Sequence, residues 1–578
     1  MQYDDFIILR DFLSEKELST DFDPVKKGKL EKHQYFSNGQ ITRKGIDALH
    51  EYKVDNAIIM AAGLSSRFAP LSYERPKGLT PVKGQVLIER QIEQLHEVGI
   101  TDITVVVGYK ATEFEYLAEK YSVDIVLNRE YSTRNNHASL WLVADKLQNT
   151  YICSSDNYFE ENPFQTYEWK ASYSAQYVHG DTDEWCIKTD DNDTIKDVCV
   201  GGRDSWIMIG PAYFDKAFSE KFKKILIDSY PLEETKNKLW ESLFIEHLSD
   251  LDMSIKRFDP PIIKEFDRID EAIAFDKNLL NHVDSGIIDR IVATLGCQRT
   301  DIHELYPLKA GLTNLSCHFR VGNSEYVYRH PGVGTELLVD RQAEFQALAF
   351  AKELGIDGTF FAGNAKEGWK ISHFIRNARQ LDAGNPIQRQ WAMSKLRLLH
   401  EGQGKLPRRF CFLEEGHRYE QLVDPEILAK VPGYHELTRR IAELSNIDPQ
   451  KNLSECVTHN DFFSLNILLT PEDEMHVIDW EYAGMGDYAN DYGTFVVTSQ
   501  LDDNTADQAL KEYFSREPSI EEKIHNAIYV AYAGWCWYAW AILKEAQGDC
   551  VGDWRRIYEH YASHYCDRAE CLFKEFIK

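Results

Sequence analysis

Residues 56–82 read NAIIMAAGLSSRFAPLSYERPKGLTPV. An apolar run up to Ala61 empties into Ala62, Gly63 and Ser65, so a buried strand delivers backbone N–H groups to a loop where no bulky side chain obstructs an anion. Arg67 and Lys77 follow and can set positive charge against a phosphate whose negative charge grows during transfer. The pattern then repeats as helix and strand, with QVLIERQIEQLHEVGI at 85–100 and DITVVVGY at 102–109. Apolar strands alternating with amphipathic helices predict a mostly parallel sheet covered on both faces, and this α/β pattern runs to about residue 283.

The chain has 578 residues, too many for one hydrophobic core. A second start follows at SGIIDRIVATLG, 285–296, and AGLTNLSCHFRVGNSEYVYRH, 310–330, reads as strand, turn, strand. From Arg341 onward helical periods dominate, interrupted by the strand-like HVIDWE, so a small β-rich lobe precedes a large helical one, the plan of a kinase. Before residue 54, NGQITRKGIDALHEYKV predicts a Gly turn, a short strand and a helix from Arg43 to Tyr52, which faintly resembles the wing and last helix of a winged-helix domain. The expected architecture is a multidomain α/β and α+β chain. It comprises a small segment over 1–53, a Rossmann-like α/β domain over 54–283, and a bilobal protein-kinase-like domain over 284–578.

The balance of 65 basic against 93 acidic side chains, a formal charge of -28, repels nucleic acid and anionic membranes at long range and favours small cationic substrates. A local nest of N–H groups with a divalent cation still accommodates an anionic nucleotide. The 11 cysteines form no CxxC pair, so neither a disulfide framework nor a zinc knuckle is expected, and a reducing cytoplasm is the simpler location. The N-terminus lacks a basic n-region and a long apolar h-region. Residues 527–543 carry no charge but hold three Trp, three Tyr and a Gly, and are read as a buried helix rather than a membrane span.

The whole arrangement of Gly63, Ser65, Arg67 and Pro76-Lys77 resembles the signature of sugar-1-phosphate and phosphocholine nucleotidyltransferases. That resemblance makes Ala61, Ala62, Gly63 and Ser65 the nucleotide loop, with Arg67 and Lys77 catalytic. It implies a Mg2+ carboxylate at Asp156, in CSSDNYF, and a second at Asp267, in KEFDRIDEAIAFD. NREYSTRNNHASLWLV and DEWCIK resemble the bacterial CTP:phosphocholine cytidylyltransferases, whose substrate carries a quaternary ammonium. Such a head cannot donate hydrogen bonds, so aromatic faces and carboxylates must hold it, and Trp185, Trp240 and Glu241 are the candidates.

HNDFFSLN, 459–466, fits the catalytic loop of eukaryotic-like kinases, and VIDWEY, 477–482, follows at the expected distance. The resemblance makes Asp461 the base for a substrate hydroxyl and gives Mg2+ to Asn466 and Asp479. Gly311, Thr313 and Asn314 resemble the phosphate-covering loop of small-molecule kinases. Arg329 stands where protein kinases use a strand lysine, with Glu344 placed to pair with it. These features resemble choline and ethanolamine kinases and aminoglycoside phosphotransferases. Glu481 follows the metal ligand as in choline kinases, and Trp537 and Trp540, three apart on one helix face, match a choline pocket.

Together the two resemblances imply a bifunctional enzyme making CDP-choline from choline, ATP and CTP through phosphocholine, with Mg2+ as cofactor. A homo-oligomer is left open. Three rivals stand: ethanolamine as the amine, a sugar kinase fused to a sugar nucleotidyltransferase, and a non-enzymatic winged-helix ligand sensor.

Overall fold

Strand β1 (Asn56–Ala61) is buried along nearly its whole length, as the central strand of a sheet covered on both faces must be. Helix α1 (Leu87–Glu97) packs Leu87, Ile88, Ile92 and Leu95 inward and leads to β2 (Ile103–Val107). The sheet is completed by β3 (Asp124–Leu127), β4 (Thr150–Ser154), β5 (Ser172–Thr189), β6 (Ile195–Phe214) and β7 (Ser254–Phe258). Its seven strands run in the order β7-β5-β6-β4-β1-β2-β3. β1 is parallel to both β2 and β4, whereas β6 is antiparallel to β4 and to β5. The parallel half is the one the sequence pattern predicts; the long β5–β6 hairpin, broken by several register shifts, is the part that alternation hides.

The structure, a computed structural model, describes residues 1–13, 24–37, 40–308, 314–332, 339–451, 453–548 and 550–578. It divides into two compact units, Met1–Pro307 and Leu308–Lys578. In the first, the N-terminal helices Tyr3–Leu13 and Arg43–His50 and a hairpin of Phe36–Ser37 with Gln40–Ile41 enclose a small core of Phe6, Leu9, Leu30, Phe36 and Leu49. This segment is welded to the sheet's flank by Trp169, stacked on Tyr52 at 4.9 Å. At the other end the unit extends past residue 283, where the sequence pattern places the break. Glu74 accepts hydrogen bonds from the Ser285 hydroxyl and, at 3.0 Å, from the Ile287 N–H, and so anchors helix Gly286–Leu295.

In the second unit, β8 (Asn314–Val321), β9 (Ser324–Pro331), β10 (Phe360–Asn364) and β11 (Trp369–His373) pair antiparallel, β8 to β9, β9 to β11 and β11 to β10. Helix α2 (Arg341–Glu353) is capped by Asp340, which accepts from the N–H groups of Gln342 and Ala343 at 3.0 Å. The helical lobe is built on α3 (Ala489–Thr498), α4 (Ile520–Ala546) and α5 (Trp554–Phe576). Two glycines let these helices touch: a Cβ at Gly493 would come within 2.5 Å of Tyr529 O, and one at Gly534 within 2.6 Å of Ala562 N. Helix α4 holds the uncharged stretch 527–543 and begins with a capping box between Ser519 and Glu522. Among the described residues no helix is long and apolar enough to cross a membrane.

His525 of α4 is fully buried between Asp448, at 3.0 Å, and Asp487, at 3.1 Å. Burial would lower its pKa, but the hydrogen bonds to both carboxylates win and raise it from 6.5 to about 9. A raised pKa means stability present in full below 6.5 and lost as the pH climbs through 9, worth roughly 3 kcal/mol at most. His525→Gln should therefore depress the thermal midpoint markedly at pH 6, and the gap to the parent protein should close by about pH 9.5. A gap that stays constant over that range would mean that His525 is not held as an imidazolium.

Candidate active sites

In the first unit the loop leaving β1 lines a cavity of about 180 Å3, with Ala61, Ala62, Gly63 and Ser65 on one side and Lys77 and Asp156 on the other. Ser65 adopts a left-handed φ of 50° that turns the chain into the short helical turn Ser66–Phe68. Lys77 is 5% exposed, and its Nζ lies 2.7 Å from Asp156 Oδ2. This approach depends on Gly78, where a Cβ would lie 2.8 Å from the Ser155 Cβ. Arg67 and Asp267 are held together by two hydrogen bonds of 2.9 and 3.1 Å, so the candidate cation and the candidate metal ligand arrive as a pair.

Two more carboxylates face this region. Burial and then Asp156 push the Glu265 carboxyl well up from its ordinary range, and burial and then Asp267 raise Glu184. Among the described residues Asp156 Oδ1 is buried with no hydrogen-bond partner, and no three His, Cys, Asp or Glu side chains converge as a preformed cage. A crowd of carboxylates with an unsatisfied oxygen fits Mg2+, which takes one or two carboxylates and completes its shell with substrate phosphates and water.

The residues proposed for the ammonium head are dispersed. Glu241 accepts from Asn136 Nδ2 at 3.2 Å and from the Tyr173 hydroxyl at 3.3 Å, and burial pushes it up to about 7. Asn136 also lines the cavity, which links Glu241 to it. Trp240 is instead a core residue, 1% exposed, stacked on Tyr173 at 5.7 Å and set edge-on to Phe214. The expectation that it walls a pocket is corrected accordingly, because its neighbours already cover its ring. Trp185 is half-buried on β5, beside Glu184.

In the second unit Asp461, Asn466 and Asp479 come together. Asn466 Nδ2 donates to Asp461 Oδ2 at 2.8 Å and to the Asp461 carbonyl at 3.1 Å. Asp479 sits at a left-handed φ of 68°, a conformation aspartate tolerates better than most residues. Burial, then Asp479 and Glu481, push the Asp461 carboxyl far up. The loop is held from below by Asp491 of α3, which accepts from the N–H groups of His459 at 2.8 Å and Asn460 at 2.5 Å and contacts the His400 ring at 2.9 Å. Carboxylates crowded beside a carboxamide again fit Mg2+, with Asp479 and the Asn466 carbonyl oxygen to hold it.

A cleft of about 480 Å3 opens beside this loop, with Val327, Leu348, Leu468 and Ile478 as apolar walls and Arg329, Lys370 and Asp479 at its polar end. Arg329 is paired to Glu344 by bonds of 2.5 and 2.9 Å. Glu344 also takes Lys370 at 3.1 Å and Arg341 at 3.0 Å; burial would raise its pKa, but Lys370 and Arg329 hold it far below the usual range. Asn314 joins two of these networks, accepting from Arg341 at 3.0 Å and donating to Glu481 Oε2 at 2.7 Å. Gly311 and Thr313 lie outside the described residues. Glu481 is thus engaged by Asn314 and lies 3.8 Å from Arg341. Trp537 and Trp540 meet edge to face at 6.0 Å, and Trp537 also meets Tyr482 at 5.3 Å. The indole Nε1 atoms of Trp537 and Trp540 are buried with no hydrogen-bond partner among the described residues. Trp535 is packing, donating to Thr438 Oγ1 at 3.0 Å.

The sequence reading missed Glu265, Glu184, Lys370, Arg341 and Asp491. Lys370 left a trace, a cation set between Trp369 and Ile371 in the strand WKISH. Asp491 left none, because nothing local tells a helix carboxylate that it will cap a loop 31 residues earlier.

A family model described as a MobA-like NTP transferase domain matches residues 57–158, and one described as the phosphotransferase enzyme family, APH, matches residues 304–522. The choline-phosphate cytidylyltransferase of Streptococcus pneumoniae is 33% identical over 225 residues, 39% of this chain and 98% of that protein. The 2-aminoethylphosphonate cytidylyltransferase of Lancefieldella rimae is 36% identical over 225 residues, 38% of this chain and 92% of that protein. A crystal structure of the choline kinase LicA from Streptococcus pneumoniae aligns at 24% identity and a TM-score of 0.42, covering 50% of this chain and 98% of that one. The chain is a fusion, in which a member of the cytidylyltransferase family that includes the pneumococcal choline-phosphate enzyme precedes a region, residues 304–522, that matches the phosphotransferase enzyme family.

Proposed function

We propose that the chain makes CDP-choline in two steps: its second unit phosphorylates choline with ATP, and its first transfers CMP from CTP to the resulting phosphocholine, releasing pyrophosphate. The observation that carries this reading is that Lys77 pairs with Asp156 in one unit while Asp461, Asn466 and Asp479 gather in the other, two clusters read here as separate phosphate-transfer sites. The product of the second is the substrate class of the first unit's relative. In this reading residues 54–283 form the transferase body, 1–53 an appendage, and 284–578 the kinase.

Asp461, its affinity for protons raised by burial and by Asp479, takes the choline hydroxyl proton as that oxygen bonds the γ-phosphorus and ADP departs. Asn466 keeps the Asp461 carboxylate oriented through its 2.8 Å bond. In the transferase, a phosphocholine oxygen bonds the α-phosphorus of CTP as the bond to pyrophosphate breaks, and Lys77 and Arg67 supply charge to the crowded phosphate oxygens. Mg2+, which Asp156 and Asp267 would hold in the one unit and Asp479 and Asn466 in the other, would supply further neutralisation of phosphate charge. Trp537 and Trp540 supply ring faces for a trimethylammonium group.

A second reading takes a primary amine in place of choline. It is favoured by the relative named for 2-aminoethylphosphonate and by Glu241 and Glu481, carboxylates already engaged in hydrogen bonds that an ammonium N–H can join. Competition among choline, ethanolamine and 2-aminoethylphosphonate, with products resolved by mass, decides between the two.

The halves should be chemically separable. Asp461→Ala should cut choline phosphorylation by about 10²–10⁴-fold and leave CDP-choline synthesis from supplied phosphocholine within about twofold, while Lys77→Ala does the reverse. Loss of both activities from either change in a folded protein would end the two-site reading. Chelation with EDTA should abolish both reactions and added Mg2+ restore them; activity that survives chelation would refute the cofactor. Trp540→Leu or Trp537→Leu keeps apolar volume but loses the ring quadrupole, so the KM for choline should rise about three- to thirtyfold with the KM for ATP little changed. Unaltered choline kinetics in both variants would make these tryptophans core residues.

A further inference from the structure

Three cations, Arg329, Arg341 and Lys370, share the single buried carboxylate of Glu344. They are not equivalent. Arg329 is spent as a strut: both ends of its fork lie on the two oxygens of Glu344, one nitrogen also donates to the Gly368 carbonyl at 3.3 Å, and its Nε is enclosed with no partner. A planar guanidinium fixed in this way cannot turn without breaking several bonds together. Arg341 bridges Glu344 to Asn314 and Glu481. Lys370 differs, because its ammonium carries three N–H donors, of which Glu344 Oε1 takes one at 3.1 Å. Lys370 is directly opposite Arg329 in the β9–β11 register and is 9% exposed, yet it lines the nucleotide-sized cleft of about 480 Å3. With one of its three donors taken by Glu344 among the described residues, the ammonium of Lys370 can turn another toward an anion that enters the cleft.

Resting on the reading of this cleft as an ATP site, we propose that Lys370 is the cation that contacts the nucleotide's phosphate oxygens, and that Arg329, which occupies the usual lysine position, serves to position Glu344 and through it Lys370. Lys370 is then a catalytic residue by contact with substrate, and Arg329 a positioning residue. The flexible stem of Lys370 lets the ammonium swing from Glu344 toward a phosphate while Arg329 keeps the carboxylate in place.

The test is a comparison of ligands that differ only in phosphate, using the full chain and calorimetric binding of ATP, ADP and adenosine, with KM and kcat for phosphorylation in parallel. Lys370→Met should weaken ATP and ADP binding by about ten- to a hundredfold and leave adenosine binding within about twofold, while Lys370→Arg, which keeps the charge, should regain most of the preference for ATP over adenosine. Arg329→Lys should lower kcat more than it raises the KM for ATP. Equal weakening of adenosine and ATP by Lys370→Met, or failure of Lys370→Arg to recover any preference, would assign Lys370 to packing and overturn the proposal. If Lys370→Met does not fold, Lys370→Gln is read by the same ratio. Failure of the unsubstituted chain to bind ATP would overturn the ATP reading and the proposal together, which separates that outcome from a defect confined to the variants.

Discussion

Carboxylates brought close together inside a protein repel one another and lose their hydration, and both units are organised around bearing that cost. In the first, burial raises the proton affinity of Glu184 and Glu265, aided by the nearby charges of Asp267 and Asp156, with Lys77 and Arg67 as the counterweights. In the second, Asp479 and Glu481 crowd Asp461, and the remedy is structural: the backbone on either side of the loop is pinned by Asp491 and by the His459 ring on the Ile478 carbonyl at 3.0 Å. Such an arrangement stores readiness for polyanions that bring their own cation, because ligand binding relieves a repulsion the fold already holds.

The two units handle the same problem with different backbone. The transferase uses a parallel strand ending in a bare loop, so the backbone that lines the cavity follows from β1, and the charged side chains come from a turn and a neighbouring strand end. The kinase-like unit uses an antiparallel ribbon, in which β9 and β11 set Arg329 and Lys370 side by side and α2 brings Glu344 to meet both. Among the described residues the linings of the two cavities share no side chain.

Legibility in the sequence followed locality. β1, the loop after it and the pairs Asp461–Asn466 and Arg329–Glu344 were readable because their parts sit close together or at fixed offsets along the chain. The buried helix α4 was readable from its uncharged aromatic stretch. The β5–β6 hairpin was not, because bulges destroy the period of two on which a strand reading depends. Trp240 was misplaced because Tyr173 and Phe214, from the paired strands β5 and β6 well before it in the chain, claim the indole for the core. Lys370 and Asp491 act on partners that only the fold brings near.

The contact of Gly78 with Ser155 bears on which positions of the transferase can vary. Gly78 offers no side chain to bond or to charge, yet the space its Cβ would need is held by the Ser155 Cβ at 2.8 Å. A single methyl group there would pry the Lys77 turn away from the Asp156 segment, however conservative the exchange looks on paper. A tight tolerance in the site thus belongs to an atom that is not there, and a survey of substitutions scored by charge or polarity alone would rank it among the harmless ones.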